Sequence, residues 1–220
     1  MYILHSYPDT ASTVLSLVLR ELDLPFEERQ IDRHNGGLDA PAYRALHPLG
    51  KIPALETPQG PMFETAAMLL YLSDRHPGLA PPPDAPERAA FLKWLFFTST
   101  NLHPALMDIY YPHRVAGPEH RDAALAHAAG RMRLYLTLLN DMTAIDRPAW
   151  LADDRPSLLG YYLAILIRWL VALPPDHPGH VDLAGFAALH RVLAHLETRP
   201  AARAVALRET LGARPFTAPA

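Results

Sequence analysis

The sequence predicts a small α/β domain followed by an all-helical domain. Three observations carry that prediction. Residues 2–31 read as strand, helix and strand in quick succession. Residues 77–86 are proline-rich and aperiodic. Every long segment after them has helical periodicity.

Tyr2-Ile3-Leu4-His5 is a β-prone run that stops at the turn signal Tyr7-Pro8-Asp9. From Ser12 the apolar residues Val14, Leu15, Leu17, Val18, Leu19 and Leu22 recur at helical spacing, with Ser12 or Thr10 as the expected cap. Pro25 forces an exit, and Phe26 to Ile31 alternates like a strand. Strand, helix and strand over so few residues form a βαβ unit, which favours parallel pairing. A polar loop, His34-Asn35-Gly36-Gly37, leads to a short helix near Ala40–Ala45. Pro53-Ala54-Leu55-Glu56 and Pro61-Met62-Phe63-Glu64 then flank Thr57-Pro58-Gln59-Gly60, a hairpin signal. A helix is expected from Thr65 to Arg75-His76, whose cations suit its C-terminal dipole. Pro77 to Pro86, with Pro81-Pro82-Pro83, reads as a semi-rigid linker. The remaining helices are expected at Glu87–Leu102, Glu119–Leu139, Leu158–Leu173, Leu183–Leu196 and near Ala201–Glu209. The boundaries are therefore 1–76, 77–86 and 87–220.

Composition removes several function classes. A formal net charge of −3 over 220 residues gives no bulk attraction to nucleic acid or anionic membrane. The absence of cysteine excludes disulfides, thiolate metal sites and a cysteine nucleophile, and fits a reducing compartment. The N-terminus lacks the basic and apolar regions of a signal peptide. Leu158–Leu173 is the most apolar stretch, but it carries Arg168 and is shorter than the roughly 20 residues of a span. A cytoplasmic protein without membrane or nucleic-acid partners is expected. The 12 histidines do not form a metal-ligand pattern: neither His120 with His127 nor His177 with His180 has the necessary companions.

Two motifs point to chemistry. In His47-Pro48-Leu49-Gly50-Lys51-Ile52-Pro53-Ala54-Leu55 a proline opens a strand, where it cannot donate to the ladder. X-Pro is also the common setting for a cis peptide, which would turn the Ile52 backbone outward to pair with an extended peptide. Glu64-Thr65 at a helix start offers a hydroxyl and free amides to a carboxylate, and a negative charge to an amine. Each motif has an ordinary structural reading too: a strand-opening proline, and a capped helix N-terminus.

Taken in order with the βαβ start, the proline segment and the helical second half, these motifs resemble the cytosolic glutathione S-transferase family along nearly the whole chain. The resemblance implies a thioredoxin-like N-terminal domain, glutathione as co-substrate, no metal, and a homodimer. It implies that Ile52-Pro53 pairs with the cysteinyl backbone of glutathione and that Glu64-Thr65 holds its γ-glutamyl group. His47 and Lys51 are implied near the glycyl carboxylate. Arg88–Leu106 resembles the family's first long helix, which lines the electrophile pocket, with Tyr110, Tyr111 or His113 as further lining candidates. Trp150 to Gly160 resembles the lead into the family's core helix, where Ser157 is kept as cap but Gly160 replaces an aspartate. Loss of that reciprocal bond weakens the helix start by ~1 kcal/mol.

The thiol-activating residue is where the resemblance departs. The family's serine slot falls at Asp9 and its cysteine slot at Ala11. An aspartate beside the thiol would raise its pKa, so Asp9 is expected to point away. The candidates, in order, are Ser12, Thr10 and Tyr7. The function implied is a glutathione transferase acting on a small apolar electrophile. The alternative is a non-catalytic binding or assembly module of the same fold.

Overall fold

A computed structural model describes residues 1–219. The strands are β1 (Tyr2–Ser6), β2 (Phe26–Gln30), β3 (Ala54–Thr57) and β4 (Gly60–Met62), with α1 (Ser12–Glu21), α2 (Pro41–Leu46) and α3 (Thr65–Arg75). The sheet order is β2-β1-β3-β4. As the short crossover through α1 demands, β1 and β2 are parallel, and β3 and β4 add antiparallel. Apolar residues alternate correctly in β1: Tyr2 and Leu4 join the core formed by Val14, Leu15, Leu17 and Val18 of α1 and Met68, Leu69 and Leu72 of α3. Gly60, at φ 117, lets the tight turn after Thr57 close the β3–β4 hairpin.

The second half is helical: α4 (Arg88–Phe97), α5 (His103–Tyr110), α6 (His113–Ala116), α7 (Arg121–Ile145), α8 (Leu158–Val171), α9 (Ala187–Glu197) and α10 (Pro200–Glu209). The helix α8 is apolar on every face because it is buried on every face, from Leu158 through Ile167. Together the halves form a thioredoxin-like α/β domain and an all-helical domain.

Four local differences from expectation have physical reasons. The first long helix does not end at Leu102. A π-helical turn, Thr98–Leu102, carries it into α5, with Pro104 tolerated near the new start. The helix expected from Leu183 begins as a separate turn capped by Asp182. A new helix then starts because Asn140 of α7 accepts from the Ala188 and Leu189 amides, at 3.0 and 3.4 Å. The proline segment is docked: Leu79 is buried, its carbonyl accepts the Leu158 amide at 2.9 Å, and Arg88 donates to Pro81 O at 2.7 Å. At α1, Ala11 holds the cap position without a side-chain bond; Thr10 Oγ1 accepts the Ser12 amide at 3.3 Å, while Ser12 Oγ turns back to Tyr7. The half capping box at α8 is present as expected, with Gly160 N–H donating to Ser157 Oγ at 2.9 Å. A Cβ at Gly160 would lie 2.8 Å from that oxygen and 3.1 Å from Leu196 Cδ1, so packing against α9 favours glycine there.

Candidate functional site

Strand register brings distant residues to one end of the sheet. His5 pairs with Ala54 and Leu55 with Met62, so the chain leaving β1 (Tyr7), entering β3 (Ile52-Pro53) and leaving β4 (Phe63-Glu64) converges there. The α1 and α3 helices start at the same end. The Ile52-Pro53 peptide is cis, and β3's paired residues begin at Ala54, which leaves Ile52 beyond the ladder. Tyr43 of α2 fixes this segment by donating from its hydroxyl to Lys51 O at 2.6 Å. Burial pushes the Tyr43 phenol up to about 12, so it stays a donor. Gly50, at φ 57, is required in the approach: a Cβ there would lie 2.6 Å from Leu38 O.

Glu64 sits at φ 72 and ψ 109 directly before α3. A non-glycine residue there costs on the order of 1–3 kcal/mol and persists only where its surroundings hold it. Glu64 is exposed, whereas Thr65, the first residue of α3, is buried. His47 is buried against Phe63, with ring centroids 4.9 Å apart. Burial pushes the His47 imidazole down, nearby Lys51 and Arg44 push the same way, and Glu64 opposes them. Thus His47, Lys51, Ile52, Pro53, Glu64 and Thr65 form one cluster.

The helical domain, whose Arg88–Leu106 segment was expected to line the electrophile pocket, contributes His103, a residue the sequence did not single out. His103 follows the π-helical turn, and its Nδ1 lies 2.8 Å from the Tyr162 hydroxyl of α8. Its pKa is pushed down to about 4, first by burial and then by the Lys51 charge; Glu64 in turn raises Tyr162. The charges of Lys51 and Glu64 are thus felt at His103 and Tyr162 of the helical domain. The Tyr162 phenol, its pKa raised by burial, shares one hydrogen bond with His103 Nδ1, whose direction the ring's tautomer sets. The available signal was His103-Pro104 inside a helical run, a position where proline marks an irregular helix.

The three hydroxyl candidates are placed differently. Ser12 is fully buried, with Oγ bonded to Tyr7 N at 3.1 Å and Tyr7 O at 3.0 Å. Thr10 Oγ1 lies 2.7 Å from the same carbonyl and 2.8 Å from Ser12 Oγ. Tyr7 directs its hydroxyl to His34 Nε2 at 2.9 Å, with the Arg33 guanidinium over its ring. Asp9, expected to turn away from a thiol, has its carboxylate engaged by the helical domain. Its carboxylate accepts from Arg168 Nε and Nη2, both at 3.0 Å, and from Trp169 Nε1 at 2.7 Å. Of the three pocket-lining candidates, Tyr110 lies nearest this loop. It donates to Trp169 O at 2.7 Å, and burial with the Asp9 charge pushes its phenol up to about 12. Tyr111 packs instead against Arg114 and His113.

Among the described residues, no group of three or more His, Cys, Asp or Glu could hold a metal ion. No helix there is long and apolar enough to cross a membrane. A pocket of about 470 Å³ borders α8, α9 and Thr217 and is lined by none of the site residues above.

Residues 4–82 match the family model described as the glutathione S-transferase N-terminal domain. A protein from Xanthomonas campestris pv. campestris described as a glutathione S-transferase is 29% identical, over 93% of this chain and 98% of its own length. An Escherichia coli K12 protein described as a disulfide-bond oxidoreductase is 26% identical, over 96% and 97%. Among solved structures, a glutathione transferase from Methylococcus capsulatus is 29% identical with TM-score 0.76, covering 96% of this chain and 100% of that one. A sphingomonad glutathione S-transferase in complex with glutathione is 26% identical with TM-score 0.76, over the same shares. The domain match, the full-length relatives and the shared architecture agree: residues 4–82 carry a glutathione S-transferase N-terminal domain, and the chain is similar along nearly its whole length to proteins described as glutathione transferases.

Proposed function

We propose that this protein is a glutathione transferase that binds glutathione at the sheet end and presents its thiolate to a small apolar electrophile. The observation that carries the reading is Glu64, held at φ 72 directly before the start of α3, where a carboxylate and a helix N-terminus together suit one amino-acid head group. In this reading Glu64 takes the glutathione ammonium and Thr65 the γ-glutamyl carboxylate. The Ile52 backbone pairs with the cysteinyl unit, and Lys51 with His47 serves the glycyl carboxylate. The sulfur then lies toward the β1–α1 loop, where Tyr7, Thr10 and Ser12 remain the candidate donors. Tyr7 is the one whose hydroxyl is not spent on its own loop's backbone. The thiol gives up its proton, sulfur bonds to the electrophilic carbon, and the leaving group departs with its electron pair. Holding both partners in one cleft supplies much of the acceleration. Residues 1–76 serve as the glutathione domain, 77–86 as connector and 87–220 as the electrophile wall. A cytoplasmic homodimer is proposed, to which the exposed Phe63 and Phe96 are suited.

One observation favours the alternative, a binding module without turnover: the Ser12 and Thr10 hydroxyls are engaged by the Tyr7 backbone. Ultraviolet titration of the bound glutathione thiolate separates the two. The transferase reading expects the bound thiol to titrate clearly below its free value, with saturable conjugation of an aryl halide. Binding with an unshifted thiol would establish the module instead.

A further inference from the structure

We propose that Glu209, the last residue of α10, is a positioning residue that clamps the β1–α1 loop in the place from which it serves the glutathione sulfur. The inference rests on the transferase reading, but the geometry that suggests it does not. Glu209 Oε2 accepts the Asp9 amide at 2.9 Å and the Thr13 hydroxyl at 2.7 Å. It thereby grips the loop on both sides of Thr10, Ala11 and Ser12.

Two features set this contact apart from ordinary packing. First, Glu209 is buried, and among the described residues no Lys, Arg or His lies within 4 Å to neutralise it; its neighbour Arg208 pairs with Glu28. A buried carboxylate without a cation is costly, and here only the two loop donors offset that cost. Burial accordingly pushes its carboxyl up, against the two loop donors, with Glu28 and Asp9 adding to the rise. Second, Asp9 occupies the left-handed region at φ 52, which a residue with a side chain keeps only when held. Every group that holds it comes from the helical domain: Glu209 on its amide, Arg168 and Trp169 on its carboxylate. Trp169 also receives Tyr110 at its carbonyl and lies 6.4 Å, ring to ring, from His103. The clamp thus ties the loop to the helical domain, and it fixes their separation.

The test compares Glu209→Ala with Glu209→Gln, whose amide oxygen still accepts both bonds. Amide exchange over residues 7–13 is read first, without glutathione. Faster exchange in Glu209→Ala, restored in Glu209→Gln, is expected; unchanged exchange overturns the clamp whatever the protein binds. With glutathione, Glu209→Ala should lower kcat on the order of tenfold and raise the bound-thiol pKa, while KM for glutathione changes about twofold at most. Should Glu209→Ala loosen the loop yet leave kcat and the thiol titration at wild-type values, Glu209 is only structural and the proposal fails. If the wild-type protein itself does not shift the thiol, the transferase reading fails, and exchange alone decides whether the clamp exists. If Glu209→Ala does not fold, Thr13→Val removes one of the two donors and is expected to give the same signs at smaller size.

Discussion

The two sides of the cleft that the α/β domain contributes are built by different means. The stretch from His47 to Thr65 is assembled from neighbours: a glycine turn, a strand-opening proline, a hairpin and a helix start, joined by bonds such as Tyr43 to Lys51. The loop from Tyr7 to Thr13 is shaped by partners far along the chain. Arg168 reaches Asp9 from 159 positions away, and Glu209 from 200. Local chemistry therefore shapes the segment proposed to hold glutathione's backbone, whereas the loop proposed to serve its sulfur depends on how two domains meet.

The sharpest way to break this contrast is Arg168→Met. Arg168 is buried in α8, pairs with Asp9 and also donates to the Leu211 and Pro215 carbonyls, at 3.0 and 2.9 Å. Removing it should cost about 3 kcal/mol of stability, the lower end of the range for breaking a buried pair, because Asp9 keeps partial access to water. The urea midpoint should fall with an unchanged slope. A loss below about 1 kcal/mol would mean the loop is locally determined after all.

A pH experiment separates His103 of the helical domain from both. The folded pKa of His103 is about 4 against 6.5 in the unfolded chain, so as pH falls the unfolded state takes the proton first. The stability held by the neutral ring is complete above pH 6.5 and declines as pH drops toward 4, by roughly 2–3 kcal/mol. His103→Asn should flatten that limb. A limb of equal depth in the variant would assign it to other groups.

The smallest expected change sharpens the local side. Glycine adopts the φ of 72 at Glu64 freely, so Glu64→Gly should leave stability unchanged or raise it by up to ~1 kcal/mol. Affinity for glutathione should fall about tenfold with the lost charge-assisted bond. A marked loss of stability would show that Glu64 is held for structural reasons and not for a ligand.

The same contrast explains what was legible beforehand. The βαβ start, the hairpin, the Glu64-Thr65 helix start and the buried α8 each rest on periodicity or on turn chemistry within about ten residues, and the sequence displays them directly. Asp9 reads as a residue that needs a partner, because a free carboxylate there would oppose thiol ionisation, but the sequence does not name Arg168 as that partner. Ser12 reads as an available hydroxyl until the loop closes over it and spends it on Tyr7. His103 is not legible as a residue of this region, because the π-helical turn before it is an insertion invisible to 3.6-residue periodicity. Arg168 was visible as a lone cation in an apolar helix, which should have signalled a buried partner.

The central claim is that glutathione binds at the sheet end through Glu64 and Thr65. Calorimetric titration of glutathione into the wild-type protein and into Thr65→Val tests it most directly. The account predicts saturable binding to the wild type and affinity weakened about tenfold in Thr65→Val, with thermal unfolding nearly unchanged. Equal affinities in the two proteins, or no binding to the wild type, would contradict it.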